Sequence, residues 1–368
     1  MKLNFNRQAL SDALGLLTSV VPSRTPKPIL MCLCIKAEDN TARICATDLE
    51  VGMNYIVPEV QVDKQGAVAV PAERLAAIVR ESTDDVLVVQ AKEGTCEVIG
   101  ADSHFTIYGQ QADTFPAVPS FDGPAQMEVA LNSLQEAISQ CLFATAKEST
   151  RYALNGVLWE IKGKKLSLVA TDGRRLARSR LNLASTPDKK ITEAKIIVPA
   201  KTMGLLERLG ADKKDNVAVR LVDNQILFSC NNIIISSNLV EGNFPKYEDI
   251  IPTDYQKKLT LSTEAALSAV RRASLLTSEE SRGIRLSISS GSMTFAGRAP
   301  ETGDARIDMS IEYKGESIEI GFNPQFLIEI LRVIKTPQFE MELGEPDRPG
   351  LIKSGQNLLY VLMPISLG

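Results

Sequence analysis

The chain has 368 residues, 44% of them hydrophobic and 23% charged, which is the balance of an ordinary globular protein too long for one hydrophobic core. Its apolar runs are too short to span a bilayer, and the opening Met1–Asn6 has no apolar h-region, so the expected location is cytoplasmic. A net charge of -4 and a single histidine, His104, argue against a chain that grips DNA with most of its surface and against histidine-centred catalysis or metal binding.

In chain order, Asn6 opens a helix with Leu10, Ala13, Leu14 and Leu17 at helical spacing. A Pro-rich loop follows, Pro22-Ser23-Arg24-Thr25-Pro26, and then an apolar run from Ile29 to Ile35. Cys32 and Cys34 lie two apart in that run and share one face of a strand. No C-x-x-C pair exists, so the six cysteines read as buried free thiols. Ile44 to Leu49 is a strand running into a Thr47-Asp48 turn. Val70-Pro71-Ala72 opens a second helix, with the proline at its first position. Val86 to Val89 reads as a strand, and Phe115-Pro116 ends the pattern.

The pattern then recurs. Asn132 opens a helix carrying Leu134, Ala137, Ile138, Cys141 and Leu142. Leu168 to Gly173 repeats the strand and Thr-Asp turn, Val198-Pro199-Ala200 the second helix start, Asn224 to Ser229 a strand, and Phe244-Pro245 the ending. In a third pass, Ser262 or Thr263 opens a helix with Leu267, Val270, Ala273 and Ser274. Phe322-Asn323-Pro324 opens its partner, and Met363-Pro364 stands as the third ending. A period of about 125 residues is a domain triplication, not a solenoid. The expected fold is α+β: three similar domains over 1–123, 124–252 and 253–368, each with two helices against an antiparallel sheet. The joints fall near Asp122-Gly123-Pro124 and Pro252-Thr253-Asp254.

Over its whole length the chain resembles the bacterial sliding clamps, the beta subunits of DNA polymerase III. The stretches that carry the resemblance include Arg24-Thr25-Pro26-Lys27-Pro28-Ile29-Leu30, Ala46-Thr47-Asp48-Leu49-Glu50, Arg151-Tyr152-Ala153-Leu154-Asn155-Gly156 and Ala170-Thr171-Asp172-Gly173-Arg174-Arg175-Leu176. Glu241-Gly242-Asn243-Phe244-Pro245, Ser281-Arg282-Gly283-Ile284 and the terminal Tyr360-Val361-Leu362-Met363-Pro364-Ile365 complete the set. The resemblance implies a DNA clamp fold, with two chains joined head to tail into a six-domain ring. Such a ring encircles DNA, tethers a replicative polymerase and performs no chemistry. Its implied partners are a second copy of the chain, double-stranded DNA, the DNA polymerase III alpha subunit and the delta subunit of the clamp loader. Translesion polymerases, mismatch-repair proteins and ligase are further implied partners, docking through short linear motifs. No cofactor or membrane is implied.

Three sets of residues follow from the resemblance. Arg24, Lys27 and Tyr152, with Arg80 and Lys201 on the helices, are the implied DNA contacts. Separated basic groups attract phosphates without fixing one register. Glu148 stands beside them but is not counted as a contact. A client-peptide pocket maps onto Leu154, Thr171, Gly173, Arg174, Arg175, Leu176, Pro245, Ile250, Val361, Leu362, Met363, Pro364 and Ile365. Asp249 and Ser366-Leu367-Gly368 depart from the family pattern beside it. The ring seam maps onto Phe105, Ile107 and Arg74 on one side, and Leu275, Leu276, Glu301 and Asp304 on the other.

Two rival readings remain. An enzyme would place Asp48 or Asp172 as an acid at a strand end, although Asp-Gly after a strand is usually a turn. A monomeric peptide-binding scaffold would bind clients without DNA.

Overall fold

The structure is a computed structural model, and it describes all residues except 39, 93, 148–150, 211–214, 254, 278–282 and 367–368. The helices form close to where the sequence places them. Helix α1 is Arg7–Leu17, capped by the Asn6 side chain, which accepts from Ala9 N at 3.0 Å, and it buries Leu10, Ala13, Leu14 and Leu17. Helix α2 is Ala72–Glu81, α3 is Leu131–Ser139 and α4 is Ala200–Glu207. Helix α5 is Thr263–Ser274, capped by Ser262, and α6 is Pro324–Val333, capped by Asn323.

Three details differ from expectation. Helix α3 begins one residue before Asn132, because the strand Met127–Ala130 runs straight into it and buried Leu131 donates its N–H to Asp215 O at 2.9 Å. Cys141 falls in the turn beyond its end, and Leu142 opens the 3-10 segment Leu142–Ala144. Pro71 and Pro199 end strands instead of starting helices, and only Pro324 takes the first helical position. In α5 the buried stripe is Ala266, Ala269, Val270 and Ala273, with Leu267 half-buried, since small side chains let α6 and the strand Gly303–Ser310 approach closely.

The chain gathers into two compact units. One holds Met1–Asn132, Leu183–Ile191 and Lys201–Leu239, the other Ser133–Asn182, Thr192–Ala200 and Val240–Gly368. Two units from three repeats follow from the strand order, because an eight-stranded antiparallel sheet in each unit runs across a joint between repeats. In the first unit, Val51–Val57 of repeat one pairs with Ile233–Asn238 of repeat two, with Met53 opposite Ile235. In the second, Arg175–Asn182 of repeat two pairs with Leu358–Leu362 of repeat three, with Ala177 opposite Tyr360. The rule is the same at both joints: the strand after the turn in one repeat pairs with the last strand of the next.

Each unit also has a smaller sheet with an open edge. The five-stranded sheet of the first unit ends on His104–Tyr108, which is the last strand of repeat one. The four-stranded sheet of the second unit ends on Gly303–Ser310, which is the strand after the turn in repeat three. These are the two strand types that pair at the internal joints. In repeats one and three two helices pack together against the sheets, α1 with α2 and α5 with α6.

The third ending also needs correction. Residues just after each repeat's last strand bridge to that repeat's edge strand: Gln110 to Ala69, Val240 N to Ile197 O, and Ile365 to Gly321. Phe115-Pro116 and Phe244-Pro245 follow their bridges, whereas Met363-Pro364 precedes its own. Met363-Pro364 is therefore not the third copy of the Phe-Pro pair.

Candidate functional site

The Thr-Asp turns repeat atom for atom. Thr47 Oγ1 donates to Val51 O at 2.9 Å and accepts from Leu49 N at 3.0 Å, while Asp48 Oδ1 accepts from Glu50 N and Val51 N at 2.9 and 2.7 Å. In the second repeat Thr171 Oγ1 donates to Arg175 O at 2.6 Å and accepts from Gly173 N at 3.1 Å. Asp172 Oδ1 accepts from Arg174 N and Arg175 N at 2.9 and 3.1 Å. The remaining oxygen of each carboxylate meets a cation: Asp48 pairs with Lys201, and Asp172 with Arg175 Nε at 3.0 Å. These aspartates are turn and tether groups, with every oxygen engaged. The third position of the turn has φ of 79° at Leu49 and 88° at Gly173, so the glycine takes without strain a conformation that the leucine must bear.

The second turn leads into a strand that is packed in an apolar cluster of the second unit. The strand Arg175–Asn182 places Leu176 opposite Val361 and Arg175 opposite Leu362, and Met363 N donates to Arg174 O at 2.9 Å. Leu176 and Val361 belong to one buried cluster with Ala153, Leu158, Val169, Ile197, Tyr247, Leu351 and Leu359, against which Phe244, Ile251 and Tyr255 pack. The expected pocket residues divide by burial: Leu154, Thr171, Leu176, Val361 and Leu362 are buried, Gly173, Arg174, Ile250 and Met363 are exposed, and Pro245 is half-buried.

Three members of the expected set stand apart from this grouping. Arg175 is buried and holds its charge inward, paired with Asp172 and Glu329. Ile365 is tied to Gly321 and faces Gly283, where a side chain in place of the glycine hydrogen would collide with it. Pro364 and Ile365 line a hollow of about 370 Å³ with Ile320, Gly321 and Pro346, which no other expected pocket residue borders.

Of the expected DNA contacts, Arg24 and Lys27 are exposed in a loop where Lys27 N donates to Thr25 Oγ1 at 3.1 Å. Tyr152 opens the 3-10 segment Tyr152–Asn155 and is 72% exposed, large for an aromatic ring with no fold to support. Arg80 is exposed in the last turn of α2. Lys201 is half-exposed and already engaged: its ammonium pairs with Asp48 and donates to Val20 O at 2.8 Å. It ties α4 to the first turn instead of standing free for a phosphate.

The expected seam residues lie at the two open edges. Phe105 is on the strand His104–Tyr108 and exposed, but Ile107 is only 7% exposed, because it pairs with Cys96 in the sheet and joins the core of its own unit. Tyr108, absent from the expected set, is 83% exposed at the end of that strand. Leu275 caps the C-terminus of α5 and is 78% exposed, with Leu276 half-buried near Gly303 on the other open edge. Arg74, Glu301 and Asp304 are exposed. Glu148, Asp254, Ser281, Arg282, Leu367 and Gly368 lie outside the described residues. Among the described residues no helix is long and apolar enough to cross a membrane.

Comparison with known proteins agrees with this architecture. Models of the DNA polymerase III beta subunit match in order: the N-terminal domain over residues 1–119, the central domain over 128–246 and the C-terminal domain over 248–366. The beta sliding clamp of Pseudomonas aeruginosa is 32% identical over 370 residues, covering all of both chains, and that of Caulobacter vibrioides is 33% identical over 376 residues, covering 99% of this chain and 100% of the relative. A crystal structure of the P. aeruginosa sliding clamp bound to griselimycin superposes with a TM-score of 0.91 over the full length of both chains. A chain with this triplicated α+β fold and these matches belongs to the DNA polymerase III beta subunit family, the sliding clamps that act as non-catalytic processivity factors of the replicative polymerase.

Proposed function

We propose that two copies of this chain close head to tail into a ring around duplex DNA. The observation that carries the reading is the strand rule. Both internal joints pair the strand after the turn in one repeat with the last strand of the next, and the two strands left without such a partner are Gly303–Ser310 and His104–Tyr108. Pairing them between copies repeats the rule a third time and covers these two edge strands, which otherwise invite aggregation. Following the register of the internal joints, Gly303 lies opposite Ile107, and Ala305 opposite Phe105. Glu301 and Asp304 face Arg74 across the seam, a pairing that sets orientation more than affinity. Domain boundaries near residues 123 and 252 accompany this reading.

Within the ring, Arg24, Lys27, Arg80 and Tyr152 touch DNA. The groove between the Gly173-Arg174 turn, Pro245, Ile250 and Met363 takes short apolar peptides from the DNA polymerase III alpha subunit. The clamp-loader delta subunit, translesion polymerases, mismatch-repair proteins and ligase use the same groove in the cytoplasm. A hydrophobic floor with an exposed methionine rim suits varied leucine and phenylalanine anchors.

The deciding experiment loads the protein onto circular DNA with its clamp loader and then linearises the circle. An encircling ring is retained on the circle and lost from free ends. Equal retention on both forms would overturn encirclement, and a single-chain mass in solution would favour the monomeric scaffold. Replacing Arg24 and Lys27 with Ala should leave the ring mass unchanged. It should lower the slope of log affinity against log salt by about 2 for each chain, since each neutralised phosphate contributes about 0.9. An unchanged slope in a salt titration would make the loop a plain surface turn.

A further inference from the structure

The proposed groove has one rim, Pro245 and Ile250, on a segment outside every sheet, residues 240–251. Tyr247 lies between them in the chain and is buried in the cluster that holds Leu176 and Val361 of the groove floor. Its hydroxyl donates to Glu160 Oε2 at 2.6 Å. Glu160 is itself buried in the strand Gly156–Lys162, and its other oxygen meets Lys195 Nζ at 2.8 Å and Lys162 Nζ at 3.1 Å. Lys195 also reaches Glu248, next to Tyr247, at 3.8 Å.

Burial pushes the Glu160 carboxyl up, but the bonds from Lys195, Tyr247 and Lys162 outweigh it and hold the pKa down at about 2. The ammonium groups and the hydroxyl thus hold this carboxylate as an anion under the segment.

The other buried acid on the same sheet makes the contrast. Glu342 is met by Lys353 at 2.9 Å and Lys258 at 3.4 Å, and the nearby Tyr255 hydroxyl is buried without a hydrogen-bond partner. Two lysines therefore suffice to hold a buried glutamate on this sheet. The bond from Tyr247 to Glu160 is additional, and what it positions is the rim segment.

Resting on the groove reading above, we propose that Glu160 and Tyr247 are positioning residues for client peptides. Neither touches the peptide. Together they fix the height of Pro245 and Ile250 over the floor formed by Leu176 and Val361.

The test titrates a fluorescently labelled peptide from the apolar tail of the replicative polymerase against the full-length protein. Tyr247→Phe removes only the hydroxyl and should weaken binding about three- to tenfold, the worth of one net hydrogen bond. Amide exchange across residues 244–251 should quicken, while ring mass and retention on circular DNA stay as in the wild type. Glu160→Gln keeps an acceptor for the hydroxyl and should hold affinity closer to wild type than Tyr247→Phe does. Met363→Ala is the control for the groove. If Met363→Ala weakens the peptide and Tyr247→Phe does not, the positioning role is wrong and the groove stands. If neither weakens it, the groove reading falls and this inference with it. If Tyr247→Phe lowers DNA retention as much as peptide affinity, the tyrosine is a general structural residue and the proposal is overturned.

Discussion

The variant Leu275→Ala/Leu276→Lys should sediment as a folded single chain at concentrations where the wild type is a dimer. Leu275 is 78% exposed in the isolated chain, next to half-buried Leu276, so a partner strand at this edge would cover it. Truncating it leaves the α5 cap intact, because that cap is the backbone bond from Leu275 N to Arg272 O at 3.3 Å. Leu276 approaches Gly303 on the open edge, so a lysine there places a charge where the proposed partner strand must pack. Losing a buried leucine contact costs about 3 kcal/mol. A two-chain ring has two equivalent seams, so the dimer constant should fall by about four orders of magnitude. Peptide binding should survive, since the groove lies wholly within the second unit's own strands and the segment after them. A double variant that still sediments as a dimer would put the seam elsewhere.

What the sequence revealed and what it hid divide along one line: the range of the interaction. Helix α1 was legible to the residue because its cap and its buried stripe, Asn6 with Leu10, Ala13, Leu14 and Leu17, are encoded within one short window. The repeat was legible because the same local signals recur. The merging of repeats into shared sheets was not, because strand pairing is set by partners far along the chain, as with Met53 and Ile235. The site shows the same division. The Gly173-Arg174 turn and the Val361–Met363 segment could be named from motifs, and the structure brings them together. The ties that hold the site, Tyr247 to Glu160 across 87 residues and Arg175 to Glu329 across 154, leave no local signature. Ile107 shows the converse failure. Alternation in His104-Phe105-Thr106-Ile107-Tyr108 reveals two faces, but it cannot say that Ile107 packs inside its own unit while Tyr108 stays free.

The largest effect on stability is expected at Arg175. Its guanidinium is buried, with Nε on Asp172 at 3.0 Å, one terminal nitrogen on Glu329 and the other on the Phe143 carbonyl at 2.6 Å. It also lies 4.2 Å over the Phe326 ring and 5.4 Å from that of Phe143. Desolvation opposes its charge, yet the bond to Glu329 and the interactions with Tyr360 and Glu329 win, and its pKa is raised. The group thus joins the turn of repeat two to α6 of repeat three, as Lys201 joins the first turn to α4. Arg175→Met keeps the stem but leaves two partly buried carboxylates and a carbonyl without their donor. Removing one partner of such a buried pair costs about 3 kcal/mol or more. In calorimetry this corresponds to a transition lowered by roughly 6–12 °C for a body of this size. Arg175→Lys keeps the charge and loses the fork, so it should recover only part of the loss. Adding Glu329→Gln to Arg175→Met removes one stranded carboxylate and should recover part by another route, and the double-variant cycle measures that coupling. The polymerase-tail peptide should bind Arg175→Met more weakly too, since the same turn presents Gly173 and the Arg174 carbonyl that holds Met363. A thermal transition unchanged in Arg175→Met would mean that the network contributes nothing to the joint, and the repeat-to-repeat tie would then rest on the pairing of the strands Arg175–Asn182 and Leu358–Leu362.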